Sequence, residues 1–298
     1  MSRVRGSNLK YVSRKRSVRE DKRFVMGKAT FAQDVNLPNL KHCAVVQSPY
    51  PRAKILSIDA SKALDLRGVH YVLNGDEFRA NATDMKFGLN TPEVKWYPLA
   101  VDITRYAGEW VAVVVADDIY TAEDAAELVE VDYEPMEPII DPEEAYSERE
   151  RLVHPNHGSN VLYDGKFCWG PVDEDFAKAD QDLAVRVRWG RSSTVPIETF
   201  GVVARWDEAV DILDIWASIQ MPNYVELLAA TLQIPLNSVR LHQNVDVGGS
   251  YGVKRGIKHS VIVGYLSRKL RAPVRFVEDR LVNMASGDAH GPDRIFDT

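Results

Sequence analysis

An α+β fold in two successive parts is predicted, and three observations predict it. Strand-like and helix-like runs alternate through the first half, and one of them, Trp110-Val111-Ala112-Val113-Val114-Val115-Ala116, is wholly apolar, as suits an interior strand. Pro135, Pro138 and Pro142 crowd a polar stretch that marks a linker or domain edge near residue 145. The second half carries a strand, a helix, a short turn, a strand, a glycine-rich loop and a longer helix, in that order.

The 298 residues allow about two domains. The expected division is a basic arm over 1–20, a first domain over 21–145 and a second over 146–298. Arg3, Arg5, Lys10, Arg14, Lys15, Arg16 and Arg19 make the arm basic, and no apolar run follows to make it a secretory signal. A solvated arm and an arm lying on an acidic partner both fit it. The net charge of -6 argues against a nucleic-acid binder. The two cysteines, Cys43 and Cys168, are too few for this chain alone to hold an iron–sulfur cluster. They suit free thiols in a reducing compartment, so a cytoplasmic location is expected. The apolar runs are strand-sized, too short to span a membrane.

In the first half, strands are expected over 40–48, 53–58, 68–73, 110–116 and 128–133. A short helix is expected over 59–64, and a second over 119–127 behind the capping pair Asp117-Asp118. Residues 74–96 read as a long loop. In the second half, His154 and His157 have no third ligand nearby, and Pro155 between them favours a loop over a metal site. Cys168 is expected to be a packed thiol, since no partner base is evident. Residues 184–189 alternate as a strand, and 197–204 form another. Glu198 is the only charge between Ser192 and Ala204, so a structural hydrogen bond is expected to hold it. A strand over 211–220 ends in Gln220, a helix covers 224–232, a strand covers 238–242 and a helix covers 257–269.

Between these last two lies Val245-Asp246-Val247-Gly248-Gly249-Ser250-Tyr251-Gly252-Val253-Lys254-Arg255-Gly256. A glycine-rich loop between strand and helix brings backbone N–H groups up to an anion, although a tight turn without ligand has the same composition. No Lys-Ser/Thr pair follows the glycines, which disfavours a P-loop nucleotide binder.

Several separated anchors carry a resemblance. They are Gly27-x-Ala29 with Asp34, Ser48-Pro49-x-x-Arg52-Ala53-x-Ile55, Arg67-Gly68-Val69, Tyr106-Ala107-Gly108-Glu109 and Glu130-Val131-Asp132-Tyr133-Glu134-Pro135. Together they resemble the hammerhead α/β domain that opens the molybdenum-binding large subunits of the xanthine dehydrogenase, aldehyde oxidase and carbon monoxide dehydrogenase family. Trp216-x-Ser218-x-Gln220, then Gly248-Gly249-x-Tyr251-Gly252-x-Lys254, then Arg271-Ala272-Pro273-Val274-Arg275, are similar to that family's first molybdopterin-contacting segment.

The resemblance implies a hammerhead domain followed by the first part of a mixed α/β molybdopterin-binding domain. It implies molybdopterin as cofactor, the cytosine dinucleotide form being one candidate. By matching position, Gln220 donates its amide to an oxygen ligand of the metal, while Gly248, Gly249, Tyr251 and Gly252 line the cofactor. No direct metal ligand and no catalytic residue is assigned to this chain. The family's Glu base has no counterpart here, so the chain is expected to be either a split subunit, with the base on a second molybdopterin-binding subunit, or a fragment, the split subunit being the preferred reading. Arg255 stands where purine-oxidising relatives carry a substrate-binding Glu. It suits contact with an anionic substrate, and equally a solvated helix start. The implied reaction oxidises an aldehyde or N-heterocyclic carbon with water-derived oxygen and passes electrons to Fe-S and FAD subunits. Ser250 and Arg255 depart from the family pattern, which leaves a second reading: a non-catalytic scaffold of the same fold without molybdenum.

Overall fold

The computed structural model describes residues 18–85, 94–192, 195–287 and 291–298. Most of the expected basic arm lies outside them. The first part runs α1 (Asp21–Val25), β1 (Lys41–Gln47), β2 (Ala53–Asp59), α2 (Ser61–Asp65), β3 (Val69–Asn74), α3 (Gly75–Asn81), β4 (Ile103–Thr104), β5 (Trp110–Ala116), α4 (Ile119–Glu127), β6 (Glu130–Pro135) and α5 (Pro142–Ser147). The second runs α6 (Val172–Ala177), β7 (Arg186–Trp189), β8 (Gly201–Asp207), β9 (Ile212–Ala217), α7 (Tyr224–Leu232), β10 (Val239–Leu241), α8 (Lys258–Leu270), β11 (Val274–Val277), α9 (Arg280–Ser286) and β12 (Arg294–Asp297).

A seven-stranded sheet in the order β10-β9-β8-β11-β1-β5-β3 takes strands from both parts. They join where β1 pairs in parallel with β11, Lys41 opposite Val274 and His42 opposite Arg275. The wholly apolar strand β5 is buried along its length between β1 and β3. Its two faces serve different layers, as a period of two requires. Val113 and Val115 enter the main core, while Val114 meets Ala125 of α4. On the main-core side, α8 places Val261, Ile262 and Leu266 over the sheet. Gly264 lets it seat closely, since a Cβ there would lie 3.1 Å from Leu213 and 3.2 Å from Leu232. Each fully buried aliphatic side chain of this layer contributes about 1.5–3 kcal/mol relative to exposure.

Several expectations need correction. Residues 74–96 are not a continuous loop, because α3 starts at Gly75, capped by the Asn74 side chain accepting from the Glu77 N–H at 2.9 Å. Near residue 145, where a linker or domain edge is expected, the chain forms α5, with Asp141 capping the Glu143 and Glu144 N–H groups and Pro142 opening the first turn. The strand expected from 197 starts only at Gly201, which leaves Ile197 97% exposed. The strand expected to reach Gln220 stops at Ala217, because the chain leaves the ladder ahead of Pro222.

The largest departure is outside the packed layers. Every residue from Leu162 to Arg191 is exposed, so Cys168 is not a packed thiol: no core lies there to cover it. Strand β7 likewise buries neither face, and β12 is its sole strand partner among the described residues.

Candidate cofactor-binding site

The glycine loop lies between β10 and α8, and its backbone is strongly turned. Gly249, Tyr251 and Gly252 have φ of 95°, 51° and 101°. Tyr251 thus adopts a left-handed conformation that side chains seldom take, a feature that concentrates at ligand sites. A Cβ at Gly248 would lie 2.6 Å from the Glu198 Cβ, so only glycine fits that approach. The Tyr251 side chain is 61% exposed and the Ser250 side chain is buried.

Gln220 comes to this loop from β9. Its backbone N–H donates to the Lys254 carbonyl at 2.8 Å, and its side chain is exposed. The residues that the sequence singled out are therefore brought together: Gln220 at one side, Gly248 to Gly252 around the turn. Arg255 follows Lys254 with its side chain in solvent and no ion pair among the described residues.

Glu198 turns out to be the internal partner of the loop. Its Oε2 accepts the Gly248 N–H at 2.6 Å and the Lys254 Nζ at 2.6 Å. The hydrogen bond expected of this carboxylate is present. Gly248 therefore spends its N–H on the protein. Lys254 is fully buried, and burial pushes its ammonium below the ordinary lysine value against the opposing pull of Glu198 and Glu278. Arg280 donates to the Pro196 and Ile197 carbonyls at 2.6 and 2.8 Å, which fixes the segment that presents Glu198.

The N-terminal segment braces the entry to the loop. Arg23 donates to both oxygens of Asp246 at 2.5 and 2.6 Å, and Thr30 N–H donates to Asp246 Oδ2 at 2.9 Å. The Arg23 hydrogen bond, foremost, holds the Asp246 carboxyl below its ordinary value. Lys254, Arg23 and Asp246 were not picked out from the sequence as site residues. The lone charge of Glu198 in an apolar run was a signal that a buried cation must stand nearby, and Lys254 is that cation.

Around the turn, the N–H groups of Gly249, Ser250 and Gly252 donate to no acceptor among the described residues, and the buried Ser250 hydroxyl has none either. Unspent donors on a left-handed turn fit an oxygen-rich anionic cofactor. His157 Nε2 lies 3.1 Å from the Val161 carbonyl. His154 is held well below its ordinary value, at about 4, by burial and then by the charge of Arg105. Among the described residues no group of three His, Cys, Asp or Glu is placed to hold a metal.

Both halves of the chain match known domains. Residues 26–137 match the aldehyde oxidase and xanthine dehydrogenase a/b hammerhead domain, and residues 153–297 match the molybdopterin cofactor-binding domain. The 6-hydroxypseudooxynicotine dehydrogenase complex subunit gamma of Paenarthrobacter nicotinovorans is 35% identical, over 90% of this chain and 34% of its own length. The carbon monoxide dehydrogenase large chain of Hydrogenophaga pseudoflava is 30% identical, over 90% of this chain and 35% of its own. Quinoline 2-oxidoreductase from Pseudomonas putida 86 superimposes with a TM-score of 0.77 at 33% identity, covering 89% of this chain and 34% of that one. The chain thus spans about a third of the length of these relatives. With both domain matches in chain order, the chain belongs to the xanthine dehydrogenase and aldehyde oxidase family of molybdenum-binding large subunits.

Proposed function

We propose that this chain is the cofactor-cradling portion of a molybdenum hydroxylase that oxidises an aldehyde or N-heterocyclic carbon with oxygen taken from water. The observation that carries the reading is the meeting of Gln220 with the turn at Gly248 to Gly252, through the 2.8 Å bond to Lys254. An N-heterocyclic substrate gains support from a quinoline-oxidising enzyme among the structural neighbours. When bound, the molybdenum cofactor, with the cytosine dinucleotide as one form of its pterin, supplies the two-electron redox chemistry.

The residues of this chain bind and orient. Gln220 presents a side-chain N–H donor at the cofactor, where a donor fixed before reaction stabilises developing charge. The free N–H groups of Gly249, Ser250 and Gly252 would hold the bound cofactor as hydrogen-bond donors. Gly248 contributes through its missing side chain, since its N–H already serves Glu198. Tyr251 stands at the mouth of the turn. Arg255 offers a positive charge to an anionic substrate group.

The remaining roles fall to other parts of a complex. A second molybdopterin-binding portion supplies the Glu base, and partner subunits carry iron–sulfur clusters and FAD. Two cysteines in this chain cannot hold a cluster. The division at residue 145 and an N-terminal arm lying on a partner belong to the same proposal, as does a cytoplasmic location. No helix among the described residues is long and apolar enough to cross a membrane.

Metal analysis and pterin analysis of the native complex test the reading. Molybdenum and an oxidised-pterin fluorophore in equal amounts support it. Absence of both sinks it and leaves the non-catalytic scaffold.

A further inference from the structure

We infer that Glu198 is a positioning residue that closes the glycine loop with a single oxygen atom and thereby sets Gln220 against it. Glu198 Oε2 accepts from residue 248 and from residue 254, at 2.6 Å each. These two residues are the ends of the turn, and Gly249 to Val253 form the hoop between them. Closing a loop at its base removes most of its freedom while leaving the hoop open to a ligand. A backbone contact strengthens the closure, because Glu198 N–H also faces the Gly248 carbonyl at 3.4 Å.

The same clamp reaches Gln220. Lys254 gives its side chain to Glu198 and its carbonyl to the Gln220 N–H. Moving Lys254 therefore moves both the turn and the amide. The clamp is also anchored from behind. Arg280 holds the carbonyls of Pro196 and Ile197 and donates to Asn283 Oδ1 at 3.0 Å, and Asn283 donates to the buried Glu278 at 2.7 Å. The side chain of Lys254 is 0% exposed and that of Glu198 is 9% exposed, so water does not compete for this pair. The Glu198 Oε1 is buried with no partner among the described residues, so the carboxylate is held by one oxygen alone. A charge pair this deep is seldom the most stable use of a core position, and a role in fixing geometry accounts for it.

This inference rests on the cofactor reading above, and its test keeps the two apart. The double variant Glu198→Leu with Lys254→Met removes both charges without stranding either, so the fold is retained. Two readouts are taken on the native complex: hydrogen exchange at the two bonded amides the clamp holds, Val253 (to the Ser250 carbonyl) and Gln220 (to the Lys254 carbonyl), and molybdenum and pterin per complex. The expected result is exchange about tenfold faster at these two amides, the equivalent of about one hydrogen bond, with a substoichiometric cofactor. Glu198→Gln, which keeps an acceptor for the Gly248 N–H, is expected to recover part of both. Unchanged exchange and unchanged cofactor content in the double variant overturn the inference. If the wild-type complex holds neither molybdenum nor pterin, the cofactor reading fails by itself, and the exchange measurement alone decides whether Glu198 closes the loop.

Discussion

Arg23 grips both carboxylate oxygens of Asp246, a residue 223 positions later and two residues ahead of Gly248. The beginning of the first part thus holds the entry to the turn in the second. The pair is partly open to water, so its value lies in geometry rather than in stability. Arg23→Ala is expected to leave the thermal midpoint little changed and to speed exchange of the bonded amides of Asp246 and Gly248. The Asp246 carboxyl, depressed by Arg23, stabilises the fold above the ordinary carboxylate value and stops doing so as pH falls through its lowered folded value. In Arg23→Ala that loss is expected to begin at a higher pH, which a pH series of the exchange rates checks.

Gln220 is held through its backbone, and its side chain carries no internal load. Gln220→Ala is therefore expected to keep the fold and the cofactor content while lowering turnover by about 10²-fold, the cost of one preorganised donor. Steady-state rates on the native complex check this, and an unchanged rate shows that Gln220 has no part in the chemistry.

Gly248→Ala drives a methyl group to 2.6 Å from the Glu198 Cβ and 3.3 Å from the Phe31 ring. Neither neighbour is the far end of a flexible side chain. A cost of about 1–3 kcal/mol is expected, as for other overpacked sites, together with loss of the Gly248 bond to Glu198. Chemical denaturation measures the first, and exchange of the residue 248 amide the second.

His259 stacks on Phe200 at 4.1 Å between ring centres and lies 3.5 Å from Glu278. Burial pushes the Glu278 carboxyl up, but His259 and Asn283 outweigh it and leave the group below its ordinary value. Such a group stabilises the fold above its unfolded value, and the contribution vanishes as pH falls through the folded one. His259→Phe keeps the stacking and removes one source of the depression. The variant is expected to lose about 1–3 kcal/mol at neutral pH and to begin acid unfolding at a higher pH than the parent, which denaturation across a pH series records.

Local elements were legible in the sequence. The strand Trp110–Ala116 and the helices Ile119–Glu127 and Tyr224–Leu232 stand at the residues that hydrophobic period and capping indicate. The helices opened by Asn74 and Asp141 carried a capping signal that polar composition obscured. Of the site, Gln220 and the turn were legible through motif order, and Glu198 as a carboxylate needing a partner. Its pairing with Lys254, the Arg23–Asp246 contact and the β1–β11 junction were not legible. Each joins residues far apart in the chain, and no local pattern encodes such a meeting. In the exposed run from Leu162 the alternating strand is present as Arg186–Trp189, but Cys168 is not packed, because a thiol is covered only where a layer lies against it.

That run has a practical side. Cys43 is sealed in the core, where burial raises its thiol far above the usual range, while Cys168 lies in solvent beside Trp169, which is 93% exposed. With only two thiols in the chain, a maleimide dye at neutral pH attaches to one of them. The protein therefore carries its own labelling handle, next to a native fluorophore, on the stretch of surface where any covering contact becomes visible as a change in colour or quenching.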